Sequence, residues 1–77
     1  MSPDDIKKLI AQKLPDCDID VEGGSGKFHI SIVGDVFAGL NPVKRQQMIY
    51  QMVDSEIQSG AIHAVTMHLQ TIAEMSS

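Results

Sequence analysis

The first fifteen residues place hydrophobic side chains at the spacing of an amphipathic helix. Ser2 is a typical N-cap residue, Pro3 suits the first helical position, and Asp5 can complete a capping box. The hydrophobic positions that follow at helical spacing are Ile6, Leu9, Ile10 and Leu14. Pro15 disfavours a helical conformation in the residue before it. We therefore predict a first helix that begins at the capping box and ends before Pro15.

Three later stretches alternate between hydrophobic and polar residues with a period of two, which is typical of half-buried strands. Their more hydrophobic faces are formed by three sets of residues: Cys17, Ile19 and Val21; Phe28, Ile30 and Ile32; and His63, Val65, Met67 and Leu69. The segment Gly23–Gly26 separates the first two stretches, and its glycines are typical of a hairpin loop.

A second long helix is predicted from Pro42 to Ser59, with Gly60 as its C-terminal cap. Its hydrophobic stripe consists of Ile49, Val53 and Ile57, flanked by Met52. Thr71–Met75 can add a last helical turn.

The element order is therefore helix, strand, strand, helix, strand and helical turn. A strand–helix–strand crossover within one sheet is normally parallel, whereas a hairpin is antiparallel. The sequence predicts an α+β fold in a single domain, residues 1–77. We expect a three-stranded mixed sheet with the helices packed on one face.

Composition and charge limit the classes of function. The 77 residues carry a net charge of −4, which counts against free nucleic-acid binding, since phosphate contacts depend on Lys and Arg. Cys17 is the only cysteine, so an intrachain disulfide and a Cys-rich zinc site are excluded. This cysteine usage indicates the reducing cytoplasm. No hydrophobic run is long enough to predict a membrane-spanning segment.

The segment Gly23–Gly26 invites two phosphate-binding interpretations. A Walker loop ending at Gly26 and Lys27 requires glycine where Val21 stands and Ser or Thr where Phe28 stands, so that match fails. The Gly-x-x-Gly pattern of KH domains is expected between two helices, whereas this segment lies between two strands. A plain hairpin turn is favoured.

Lys44 and Arg45 lie in the first turn of the second long helix, where free backbone N–H groups also favour an anion. The alternative is a solvated helix start with a charged flank. His63 lies between that helix and the third strand, and imidazole is a good ligand for zinc, copper and iron. The alternative is a structural histidine bonded to a carbonyl. No catalytic set of residues is visible, so we expect a protein that is not an enzyme.

Several segments occur together at characteristic separations. They are Gly24-Ser25-Gly26-Lys27-Phe28, Phe37-Ala38-Gly39, Val43-Lys44-Arg45-Gln46-Gln47 with Tyr50, and Ile62-His63-Ala64-Val65. With these segments the chain resembles the BolA family, most closely its IbaG-like branch. The resemblance covers nearly the whole chain and implies a BolA fold, which is related in topology to type II KH domains.

The resemblance also implies an adaptor in iron–sulfur metabolism that binds a monothiol glutaredoxin. In this family the glutaredoxin brings a cysteine and glutathione to a [2Fe–2S] cluster, and the BolA protein adds a histidine that falls on His63. A second family ligand often precedes the strand phenylalanine, but here that position is Lys27, a cation that does not readily bind iron. His29 and Cys17 remain as additional candidate ligands, although neither matches the motif.

We expect Lys27, Lys44 and Arg45 to form one partner- and anion-binding surface with His63, on a chain that is a monomer or weak dimer when alone. Two alternatives stay open. The family also has members linked to transcription, so the basic start of the second long helix could bind nucleic acid, an interpretation that we rank second. The third is a cluster-free heterodimer that regulates the glutaredoxin.

Overall fold

The computed structural model describes residues 1–76 and begins with helix α1, Pro3–Lys13. The predicted capping box is confirmed: the Asp5 N–H donates to Ser2 Oγ at 3.3 Å, and the Ser2 N–H donates to the Asp5 carboxylate at 2.9 Å. The hydrogen bond from the Ser2 backbone is the main cause that lowers the pKa of Asp5. At the other end Leu14 caps the helix, and its N–H donates to the Ile10 carbonyl.

The three predicted strands form one mixed sheet. They are β1 (Asp18–Gly24), β2 (Lys27–Val33) and β3 (Ala64–Gln70). Strand β2 lies in the centre, antiparallel to β1 and parallel to β3. The register pairs Gly24 with Lys27 at the hairpin and Lys27 with Ala64 across the parallel ladder. The start of β3 therefore lies beside the hairpin turn.

The hairpin turn is tighter than the four-residue loop that the glycines predict. Gly23 and Gly24 belong to β1, and only Ser25 and Gly26 connect the strands. Their φ angles of 55° and 80° are the positive values that a type I′ turn requires at both central positions.

The long second helix predicted from Pro42 to Ser59 is wrong as a single element. A 3-10 turn, Asp35–Phe37, is followed by α2, Pro42–Met52, and α3, Asp54–Gln58. The break is at Val53, where φ is −114° and ψ is 15°, and whose N–H donates to the carbonyl of Tyr50, only three residues back. Gly60, with φ of 85°, follows the helical segment as predicted. The last predicted turn is confirmed as α4, Ile72–Ser76.

The core lies between the helices and one face of the sheet, as predicted. The buried hydrophobic side chains are Ile6, Ile10, Leu14, Ile19, Phe28, Ile30, Ile32, Phe37, Ile49, Val53 and Ile62. The opposite face is polar and exposed, and we call it the uncovered face. Its exposed charged and polar strand residues are Asp18, Asp20, Glu22, Lys27, His29, Thr66 and His68.

No helix within residues 1–76 combines the length and apolar character needed to cross a membrane.

Candidate functional site

His63 lies immediately before β3, at the hairpin end of the sheet. The preceding Ile62 is buried, and its N–H donates to the Glu56 carbonyl at 3.0 Å. This hydrogen bond connects the segment before β3 to helix α3. The backbone N–H groups of His63 and Ala64 both donate to the Gly26 carbonyl, at 2.6 and 3.1 Å. His63 is thus held by its backbone from two sides, while its side chain is exposed.

The His63 ring rests against the turn glycine. A Cβ atom built on Gly26 would collide with Cδ2 of the ring, and Gly26 also has a positive φ of 80°. Glycine is therefore required at this position for two independent reasons, its backbone conformation and its contact with the imidazole. Gly26 orients His63 through its carbonyl and through its missing side chain, a role that the sequence motifs did not identify.

The imidazole itself remains available to a partner. Neither ring nitrogen makes a hydrogen bond to another residue within positions 1–76, so the alternative of a structural histidine bonded to a carbonyl does not describe this side chain. Within the same range, no three His, Cys, Asp or Glu side chains come together as a metal site. This arrangement can supply one ligand to a metal whose other ligands come from another molecule.

Lys27 is a basic residue whose backbone lies near that of His63 at the hairpin end of the sheet. It is exposed at the start of β2, and its register partner, Ala64, directly follows His63. The two side chains line different grooves, because Lys27 lies with Glu22 and His29 on the uncovered face, whereas His63 lies with Tyr50 and Ile57. We call Gly26, Lys27, His63 and Ala64 the His63 surface.

Lys44 and Arg45 do not lie beside this surface. Arg45 Nη1 donates to the Leu69 carbonyl, near the opposite end of β3 from His63. Six residues of extended chain separate Leu69 from His63, a span of about 20 Å. Lys44, which is exposed, adjoins Arg45 at the start of α2. The expected single surface combining these basic residues with His63 is therefore divided between two ends of the strand.

Arg45 is engaged within the fold. Its side chain is only 12% exposed. Its Nε donates to the Leu40 carbonyl at 2.9 Å, and its Nη1 and Nη2 donate to the Glu74 carboxylate at 2.7 and 3.2 Å. Its Cζ also lies 6.0 Å from the centre of the Phe37 ring. These contacts use the planar donor fork of arginine and leave it poorly placed to bind an external anion.

Glu74 is the residue of this network that the sequence prediction missed. The Thr71 N–H donates to the Glu74 carboxylate at 2.7 Å, and the Glu74 N–H donates to Thr71 Oγ1 at 3.1 Å, which forms a second capping box. Hydrogen bonds from Arg45 and then Thr71 lower the pKa of Glu74 from 4.5 to about 2. The Thr-x-x-Glu spacing at the start of α4 is the sequence signal that indicates this contact.

The two additional candidate ligands are not brought together with His63. His29 projects from the uncovered face, and its Nδ1 lies 2.6 Å from Thr66 Oγ1. Cys17 lies at the far end of the hairpin, beside Gly34, and seven residues of extended chain, about 23 Å, separate it from Gly24. Burial, followed by the charges of Asp16 and Asp35, raises the pKa of the Cys17 thiol, which disfavours the thiolate that a metal requires.

Comparison with known proteins gives consistent results. A protein from the rpoN-murA intergenic region of Acinetobacter guillouiae is 38% identical over 74 residues, which cover 96% of this chain and 89% of that protein. Acid stress protein IbaG of Escherichia coli strain K12 is 31% identical over 74 residues, which cover 96% of this chain and 88% of the relative. The solved BolA domain of SufE1 from Arabidopsis thaliana matches with a TM-score of 0.84 and 30% identity, over 94% of this chain and 93% of that domain.

The family model for BolA-like proteins matches residues 8–74, which include the hairpin turn, α2, His63 and all three strands. This match confirms the resemblance that the sequence motifs indicate, and the chain therefore belongs to the BolA family.

Proposed function

We propose that this protein is a non-enzymatic adaptor in iron–sulfur metabolism. It binds a monothiol glutaredoxin and contributes His63 to a [2Fe–2S] cluster that the glutaredoxin holds with its cysteine and glutathione. The observation that carries this proposal is the exposed His63 ring, positioned by Gly26 and without a hydrogen bond to any residue in the described part of the chain. A lone, fixed imidazole suits a shared metal centre, because the remaining ligands arrive with the partner.

The chemistry of His63 sets what binding requires. A neutral imidazole can donate a nitrogen lone pair to iron, whereas a protonated imidazole cannot, so acid should weaken the complex. Replacing a thiolate by an imidazole also raises the reduction potential of an iron–sulfur cluster. Lys27 would draw the anionic partner towards this ring, and its contribution should decrease as salt is added.

Nucleic-acid binding receives less support from the same structure. That interpretation depended on the basic pair Lys44 and Arg45. Arg45 forms an ion pair with Glu74, so of the two only Lys44 is exposed. The chain as a whole remains acidic, with a net charge of −4. We therefore retain the iron–sulfur adaptor as the function that the geometry supports best.

The test is co-purification with a monothiol glutaredoxin from the same organism, in the presence of glutathione, followed by visible absorption spectroscopy. The His63→Ala variant should abolish or strongly alter the cluster absorption of the complex while its fold persists. The matched control is His68→Ala, which removes an exposed histidine from the uncovered face. An unchanged spectrum for His63→Ala would show that His63 is not a ligand.

Calorimetry distinguishes the cluster-free heterodimer. If this protein and the glutaredoxin bind equally well without iron, and His63→Ala leaves the affinity unchanged, then the regulatory heterodimer replaces the shared-cluster proposal. Stronger binding with the cluster present, lost in His63→Ala, supports the shared site.

A further inference from the structure

Strand β3 has a free edge, because within residues 1–76 it pairs only with β2. At its start the Ala64 N–H donates to the Gly26 carbonyl, and at its end the Gln70 carbonyl accepts from the Gly34 N–H. Backbone groups of a strand point to alternate sides, so the even-numbered residues of β3 face β2. Val65, Met67 and Leu69 therefore direct their N–H and C=O groups away from the sheet.

Only part of this edge is closed by the protein itself. The Leu69 carbonyl accepts from Arg45, which the Glu74 carboxylate holds in place. The backbone groups of Val65 and Met67 have no hydrogen-bond partner within residues 1–76. Proteins usually cover or charge such edges, because unpaired strand groups attract another chain. Here the open part of the edge is the half nearer to His63.

A groove of about 310 Å³ runs beside this open part. It is lined by Tyr50, Ile57, Ile62, His63, Ala64 and Val65. None of these residues is a lysine or an arginine, so the groove lacks the cations that a single-stranded nucleic acid requires. Its apolar lining beside unpaired backbone groups suits an extended polypeptide segment with small or hydrophobic side chains.

A second copy of this chain is a poor occupant. A two-fold antiparallel pairing of β3 centred on Met67 would place Leu69 of each copy opposite Val65 of the other. Arg45 already occupies the edge at Leu69, so it would obstruct the pairing at both ends. A partner segment that covers only Val65 and Met67 avoids this obstruction.

We propose that the glutaredoxin partner docks by adding an extended segment to the free edge of β3 at Val65 and Met67. This inference rests on the proposed function and specifies how the partner is held. Main-chain hydrogen bonds would fix the register of the added segment, and His63 lies only two residues before Val65. The same contact that provides affinity would therefore place the glutaredoxin's metal-bound groups next to the imidazole.

Amide hydrogen exchange, followed residue by residue with NMR in the free protein and in the glutaredoxin complex, tests the proposal. The amides of Val65 and Met67 should exchange at least about tenfold more slowly in the complex, because they gain hydrogen bonds. Thr66 and His68 are internal controls on the same strand, since their amides face β2 in both states.

A backbone variant gives an independent test. Proline at an outward-facing position removes a donor without breaking the ladder to β2, so Val65→Pro should weaken glutaredoxin binding by about tenfold or more. Val65→Thr keeps the N–H and should bind like the wild type. Circular dichroism must show that both variants retain the fold.

The outcomes separate this inference from the function on which it rests. If the complex forms and its spectrum depends on His63, but the Val65 and Met67 amides exchange as in the free protein, strand addition is wrong and the proposed function stands. If no complex forms, both fail. Slowed exchange of these amides on self-association or on adding single-stranded oligonucleotide, but not with glutaredoxin, would also overturn the assignment of the occupant.

Discussion

At the scale of single residues, the sequence left open whether His63 is a ligand or a structural histidine and expected Arg45 on a partner surface, whereas the structure exposes His63 and engages Arg45 within the fold. His63 follows a buried isoleucine and immediately precedes β3, a position that the neighbouring sequence indicates. Arg45 lies near the line of the hydrophobic stripe of α2, and its half-buried position follows from that phase. Its partner Glu74 is 29 residues away, so no local pattern connects the two.

Gly26 gives the sharpest prediction at this scale. The Gly26→Ala variant should lose about 1–2 kcal/mol of unfolding free energy, because alanine is strained at positive φ, and it should also displace the His63 ring. Gly39→Ala is the matched control, since Gly39 has a φ of 79° but no atoms within 4 Å of an added Cβ. Denaturant titration should show a loss for both variants, at least as large for Gly26→Ala, because that variant must also displace the ring.

Only Gly26→Ala should alter the NMR shifts of the His63 ring and reduce the cluster absorption with glutaredoxin. If Gly39→Ala reduces that absorption equally, the effect arises from general destabilisation, and the contact between Gly26 and the ring has no special role.

At the scale of elements, the sequence predicted the existence of almost every helix and strand but not how they are joined. Alternation with a period of two identified all three strands, and Ser2, Pro3 and Asp5 marked the start of α1. The break at Val53 was missed because the hydrophobic spacing continues through it, with Val53 fully buried. The docking of α4 was missed because it depends on Arg45, a contact between distant segments.

The two capping boxes provide a prediction at this scale, because one stands alone and the other shares Glu74 with Arg45. Ser2→Ala and Thr71→Ala should each cost about 1 kcal/mol of unfolding free energy. Arg45→Ala should cost about 2 kcal/mol or more, since it removes charge-assisted hydrogen bonds and leaves the carbonyls of Leu40 and Leu69 without this donor.

Double-mutant cycles measure the energetic coupling between the α4 capping box and the Arg45–Glu74 ion pair. Thr71→Ala combined with Arg45→Ala should deviate from additivity by about 0.5 kcal/mol or more, because both side chains hold Glu74. Ser2→Ala combined with Arg45→Ala should be additive. Additive behaviour in both cycles would mean that the α4 capping box and the Arg45 ion pair stabilise the protein independently.

At the scale of the whole molecule, the fold places two groups of residues at opposite ends of β3. The hairpin end presents His63 and Lys27 to solvent and leaves the edge of β3 open. At the opposite end, Arg45 covers the edge of β3 at Leu69. Its hydrogen bonds with Glu74, together with those between Glu74 and Thr71, hold α4 in place. The sequence could indicate that Lys44, Arg45 and His63 were candidates, but only the path of α2 across the sheet shows that they lie apart.

This separation predicts that acid weakens the fold at the end remote from His63. The pKa of Glu74 is lowered in the folded protein from 4.5 to about 2, chiefly by its hydrogen bond with Arg45. A carboxylate with a lowered pKa stabilises the fold fully above its unfolded value of 4.5, and the stabilisation is lost as the pH falls through about 2.

Guanidinium denaturation of the wild type and of Glu74→Gln, repeated across the acidic range, should therefore show a constant difference in unfolding free energy above about pH 5. Below that pH the two stability curves should converge, since the unfolded chain takes up a proton on Glu74 near pH 4.5 while the folded carboxylate keeps its ion pair with Arg45 until about pH 2. Glu22→Gln, which alters an exposed carboxylate on the uncovered face, is the control for the loss of a negative charge. If the Glu74→Gln curve stays parallel to the wild type down to pH values near 2, the Arg45–Glu74 pair does not govern the acid sensitivity of the fold.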